Sequence, residues 1–105
     1  MSATRSLATA LAAAALLAGA ITARAADVAR GAQTYQRHCA NCHGPTGVST
    51  WPGAPSFARR EGLMRPDALL LDMLRTGRGV QPGFRGLLTD TEILDAIAYS
   101  RTLAR

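Results

Sequence analysis

Cys39-Ala40-Asn41-Cys42-His43 is the stretch around which the rest of this chain is organised. Two thiols two residues apart, followed at once by an imidazole, form the pattern by which a c-type haem is attached: both sulfurs bond the porphyrin's vinyl groups and the histidine ligates iron. The spacing has a mechanical basis. On one turn of helix and the bend after it, Cys39 and Cys42 straddle one edge of the macrocycle, and the next residue turns its ring beneath the metal. Cys39 and Cys42 are the expected covalent anchors of one haem c, and His43 the expected proximal iron ligand.

Three plainer readings compete for the same residues. A structural zinc ion needs four protein ligands in a tetrahedron, and beyond Cys39, Cys42 and His43 the chain offers only His38 as a further usual zinc ligand. In that set His38-Cys39 and Cys42-His43 are adjacent pairs, whose side chains point apart. A thioredoxin-like redox pair calls for a βαβ setting, and no such pattern is present. A disulfide between Cys39 and Cys42 stays open for an exported chain.

Export is what the first residues suggest. Arg5 supplies a positive n-region, Leu7 to Ile21 is an uncharged run rich in alanine and leucine, and Ala23-Arg24-Ala25 has the small-x-small form of a cleavage site. Residues 1–25 are therefore expected to be a signal peptide, leaving 26–105 as one domain. The competing reading is a membrane anchor, but a span needs roughly 18 or more apolar residues and this run is shorter. No stable membrane insertion is expected after cleavage.

All twelve basic residues are arginines, against seven acids, for a formal charge of +5. Removing Arg5 and Arg24 lowers the balance to +3. The arginines are scattered and few aromatics accompany them, which argues against a nucleic-acid groove. The remaining domain of about 80 residues is close to the size at which apolar burial alone becomes marginal, so a large cofactor would complete the core, and the apo chain is expected to fold poorly.

The periodicity is helical throughout. Asp27 is a plausible N-cap for a helix to about Cys39, with Val28, Ala32 and Tyr35 on one face. Gly31 lies inside it, where glycine costs up to about 1 kcal/mol against alanine, so another backbone is expected to pass close by. Gly44 to Gly62 holds Pro45, Pro52 and Pro55 and reads as a loop around the proximal side of the haem. Pro66 opens a helix to Thr76 with Leu69, Leu70, Met73 and Leu74 as its apolar face. After an irregular Gly77 to Leu88 stretch, Thr89-Asp90-Thr91-Glu92 is a capping box, and Ile93, Leu94, Ile97 and Ala98 form a stripe to about Leu103. No segment alternates as a strand does.

In this order the residues resemble the class I monohaem c-type cytochromes over the whole of 26–105. The resemblance implies an all-α fold, three to four helices wrapped around one covalently attached haem. A glycine and an aromatic of the family's first helix pack on its last helix near another aromatic, and Gly31, Tyr35 and Tyr99 fall at those positions. The family's loop proline, whose carbonyl accepts from the ligand histidine, is similar to Pro55, with Pro52 as second choice. The implied function is a periplasmic electron carrier, a monomer that exchanges single electrons with redox partner proteins docking at an exposed haem edge.

One departure from the family stands out. Its sixth ligand is usually a methionine in a Gly-x-Met-Pro-x-Phe type of loop, yet the matching run here is Gly79-Val80-Gln81-Pro82-Gly83-Phe84. Gln81 thus takes the candidate distal position. Met64 is the alternative distal ligand, whereas Met73 lies on an apolar face as core filling. His38 precedes Cys39 on the covalent edge and is not expected on the distal side. A glutamine oxygen is harder than a thioether and favours ferric iron, so a lowered potential is expected. A weak distal ligand also opens an alternative, a haem enzyme or small-ligand sensor. Trp51 and Arg59 or Arg60 are candidates to approach the haem propionates, with packing and solvation as the competing account.

Overall fold

Asp27 starts the first helix as its side chain predicts: the carboxylate accepts from Arg30 N at 3.0 Å, and α1 runs Val28–His38. The computed structural model describes residues 25–105, so the expected signal peptide lies outside the described residues but for Ala25. A one-turn helix, α2 (Ala40–His43), follows directly, with Cys39 as the joint between the two. The sequence expected the attachment pattern on a helical turn with a bend after it. The chain bends on both sides of that turn, at Cys39 (φ −117°, ψ −37°) and again at Gly44 (φ 82°).

The loop from Gly44 to Gly62 includes a 3-10 turn, Phe57–Arg59, which the proline and glycine content had hidden. Helix α3 spans Asp67–Thr76. Pro66, expected as its first residue, stands just outside it as N-cap, because its ψ of 146° is extended. Its carbonyl is nevertheless the first acceptor of the helix, taking Leu69 N and Leu70 N at 3.1 and 3.2 Å. Helix α4 (Asp90–Thr102) begins at the expected capping box: Glu92 N donates to Thr89 Oγ1, and Thr89 N to the Glu92 carboxylate at 2.7 Å.

The core forms where α3, α4 and the segment between them meet. Leu70, Phe84, Ile93 and Ile97 are buried together, with Met73, Leu74, Leu88 and Leu94 packed against them. Helix α1 then crosses α4 at Gly31. A Cβ built on Gly31 would lie 1.9 Å from the Asp95 carbonyl oxygen, so only glycine lets the two backbones come this close. On either side of that crossing, Asp27 N donates to the buried Asp95 carboxylate at 2.8 Å, and the Tyr35 and Tyr99 rings meet at 5.2 Å. Two ion pairs tie the remaining ends: Arg75 with Asp90, from the end of α3 to the start of α4, and Arg101 with Asp67.

Among the described residues there is no strand. The one bridge is an antiparallel pairing of Arg78 with Gln81. No described helix is long and apolar enough to cross a membrane.

Candidate functional site

The turn after α1 and the loop after α3 face each other across a cavity of about 500 Å³, within the size range of cofactor pockets. Cys39 and His43 form part of one wall, Gln81 and Val80 part of the opposite one, and Leu63, Leu70, Met73, Leu74 and Ile97 give the interior its apolar character. His43 is buried, with its ring stacked on Phe57 at 4.2 Å and 15°.

The loop between α1 and α3 sets the orientation of that ring. His43 Nδ1 lies 2.9 Å from the Pro55 carbonyl oxygen, an acceptor, so Nδ1 carries the hydrogen and donates. Pro55 is itself held from behind. Ser56 N donates to Glu61 Oε2 at 2.8 Å, and the buried Ser56 hydroxyl accepts from Ser49 N at 3.0 Å. The Ser56 amide, and then the hydrogen bond from Arg59, keep the Glu61 carboxyl below its ordinary pKa. Sequence reasoning named Pro55 but not Ser56 or Glu61, since nothing in their local pattern announces a tether across the loop.

Two glycines shape the opposite wall. At Gly77 (φ 82°) a Cβ would sit 2.8 Å from Gly83 N, and at Gly83 one would sit 2.7 Å from the Thr76 carbonyl. The ends of the 77–83 loop therefore close on each other, and Phe84 N returns to Leu74 O at 2.8 Å. Between them Arg78 and Gln81 exchange both backbone hydrogen bonds at 3.0 Å, which turns the Gln81 side chain inward.

The result is an unusual meeting of two atoms. Gln81 Nε2 donates to the Pro82 carbonyl at 3.2 Å, so its Oε1 points at His43 Nε2, 3.3 Å away. With Nδ1 protonated for Pro55, a neutral imidazole offers only a lone pair at Nε2. His43 Nε2 and Gln81 Oε1 are both able to give an electron pair to iron, and they meet at the cavity at 3.3 Å, the distance of a direct contact. Together with the apolar cavity and the Cys39 thiol in its wall, this donor set fits a haem; Cys42, one turn on in α2, is not among the lining residues.

The thiols themselves are not joined in a disulfide. Burial pushes the Cys39 thiol up to about 11, so it lacks the low pKa of an activated redox cysteine. Among the described residues no group of three or more His, Cys, Asp or Glu converges as a metal-ion site would need.

The other candidates lie elsewhere. Met64 is 82% exposed and does not line the cavity, whereas Met73 lines it and packs on the core. His38 sits edge-on to Phe84. Trp51 and Pro52 are exposed, and Arg59 is paired with Glu61 at 2.8 Å. The arginines that do line the cavity are Arg65 and Arg78, which the sequence did not single out.

Comparison with known proteins agrees with this geometry. A family model described as cytochrome c oxidase, cbb3-type, subunit III matches residues 26–99. The chain is 33% identical over 81 residues to the cytochrome c6 of Thermosynechococcus vestitus, covering 73% of this chain and 70% of that protein. It is 32% identical over 78 residues to the cytochrome c6 of Parathermosynechococcus lividus, 70% of this chain and 87% of the relative. Among solved structures, cytochrome c6 from the diatom Phaeodactylum tricornutum superposes with a TM-score of 0.62 at 26% identity, covering 74% of this chain and 94% of that one.

Proposed function

This chain belongs to the cytochrome c family, as a small class I monohaem member carrying one covalently bound haem c, and from that premise we propose that it is an exported carrier of single electrons between partner proteins in the periplasm. Reversible one-electron exchange is the chemistry that a bound haem iron supplies. In this reading Cys39 and Cys42 hold the porphyrin by thioether bonds and His43 is the proximal ligand. Pro55, tethered through Ser56 and Glu61, fixes the His43 ring and makes it a better donor. Gln81 would offer Oε1 to the iron from the facing loop, and Met64, exposed and outside the cavity lining, would not ligate. Residues 26–105 form the mature domain once 1–25 are removed.

The approach of Gln81 Oε1 to His43 Nε2 at the cavity is the observation that carries this assignment. No carboxylate is among the residues that line the cavity, which supports a carrier over an acid–base enzyme. An amide oxygen is a harder donor than a thioether, so the resting protein should hold ferric iron more firmly than a His/Met cytochrome does.

Optical spectra and potentiometry of Gln81 and Met64 variants test the assignment. Gln81→Met should introduce a sulfur-to-iron charge-transfer band and raise the midpoint potential, and Gln81→Ala should bind cyanide or carbon monoxide more readily. Met64→Ala should leave all three properties unchanged. If Met64→Ala alone alters the spectrum and potential, Met64 is the ligand and the glutamine assignment fails.

A further inference from the structure

Asp95 carries a buried charge that nothing in the reading above uses. It is 2% exposed, and among the described residues no arginine or histidine forms an ion pair with it. An acid is rarely buried to that degree without a cation, because an unpaired charge loses its hydration on leaving water. What it does hold is a backbone amide, Asp27 N, which donates to Asp95 Oδ1 at 2.8 Å. The helix end that this amide opens, the start of α1, lends only about half a positive charge.

A full positive charge arises at the same helix end once the chain is processed. Cleavage after Ala25 leaves Ala26 with an α-ammonium, and Ala26 N is three bonds, roughly 3–3.5 Å, from Asp27 N. Ala26 and Asp95 share the wall of a cleft of about 260 Å³ with Asp67, Thr91 and Leu94. No cationic side chain is in that wall. Asp67 is paired with Arg101, and Asp27 turns its own carboxylate to Arg30. Arg30, Arg37, His38 and Glu92 line a second cleft that Asp95 also reaches, and none of them forms an ion pair with it among the described residues.

Resting on the processing read above, we infer that Asp95 receives the α-ammonium of the mature N-terminus, so that removal of residues 1–25 supplies the ion pair that closes the α1–α4 crossing. In the uncleaved chain the same nitrogen is a neutral peptide amide, and the carboxylate keeps only Asp27 N. Processing is thereby coupled to the stability of the fold that holds the haem. Because the pair strengthens the amine's hold on its proton, its contribution is complete below the ordinary α-amino range and is lost as the pH rises through the folded value.

The chain has no lysine, so the α-amine of Ala26 is the single primary amine of the mature protein, and N-hydroxysuccinimidyl acetate followed by intact mass reports on it alone. At pH 8 the haem-loaded protein should acetylate on the order of tenfold more slowly than the free peptide of residues 26–30, which carries the same amine beside Asp27. Its pH–rate profile should be displaced upward as well. Asp95→Asn should return both to those of the peptide, whereas Asp67→Asn should not. The acetylated wild type should melt roughly 4–8 °C lower with its haem spectrum unchanged, and acetylating Asp95→Asn should shift its melting little. If Asp95→Asn fails to load haem, the wild-type profile and the melting shift decide. A wild-type amine with the rate and profile of the peptide's, or an acetylated protein as stable as the unmodified one, would overturn the ion pair and leave the processing standing. An intact mass that does not begin at Ala26 would overturn the processing, and the ion pair with it.

Discussion

Replacing Gly31 by alanine sets two effects of opposite sign against each other. Within α1 the substitution favours the helix by up to about 1 kcal/mol. Against this, the new Cβ would lie 1.9 Å from Asp95 O and 2.4 Å from its carbonyl carbon. An ordinary contact is about 3.5 Å, so the helices must part by roughly 1.5 Å at the crossing. Overpacking of that kind costs about 1–3 kcal/mol. The same movement stretches the 2.8 Å bond from Asp27 N to Asp95 beyond hydrogen-bonding range, and a bond to a charged group contributes about 1.5–3 kcal/mol. Partial relaxation should leave Gly31→Ala less stable by about 2–3 kcal/mol. For a domain this small that lowers the melting temperature by roughly 10–20 °C, read by far-ultraviolet circular dichroism of the haem-loaded protein. Gly86→Ala is the control: its φ is 81° and a Cβ there meets nothing within 4 Å, so it should cost only about 1 kcal/mol of backbone strain. A Gly31→Ala protein as stable as wild type, or more so, would refute the close crossing of α1 and α4.

Tyr35 donates to the Gly44 carbonyl at 2.6 Å, and burial, then the neighbouring Cys39 and Tyr99, push its hydroxyl up to about 12. A raised pKa means that its contribution is complete below about pH 10 and is lost as the pH rises toward 12; Tyr35→Phe should remove that alkaline slope and cost about 1 kcal/mol at neutral pH in denaturant titrations, because Gly44 O keeps its bond from Gly47 N. Asp90 is held below its ordinary range, first by the hydrogen bond from Arg75, so its support for the α3–α4 joint is complete above the usual carboxylate pKa and disappears as the pH falls through the lower folded value; Asp90→Asn should flatten the acid limb of the stability profile. Intact mass of the purified protein should equal residues 26–105 plus one haem that survives acid-acetone extraction, and a mass beginning at Met1, or one without porphyrin from cells that mature cytochromes, would contradict the processing or the attachment respectively.

What the sequence determined by itself was whatever acts at short range. Cys39, Cys42 and His43 carry their chemistry in their spacing, and the Asp27 and Thr89 caps are set by side chains reaching three residues along the chain. Gly31 was legible as an anomaly, because a helix has no local reason for glycine there, but its partner, the Asp95 carbonyl, lies 64 residues on. The 3-10 turn at Phe57–Arg59 was invisible because loop residues fit many backbones equally well, and the extended ψ of Pro66 lay within the one-residue latitude of any helix start. Only the tertiary structure placed Glu61 behind Ser56 and Pro55, turned Gln81 Oε1 toward His43, left Met64 in solvent, and set Arg65 and Arg78 rather than Arg59 at the cavity. Those placements follow from how α3 and its return loop pack on α4 through Leu70, Phe84, Ile93 and Ile97, a choice among side chains distant in sequence that no local pattern encodes.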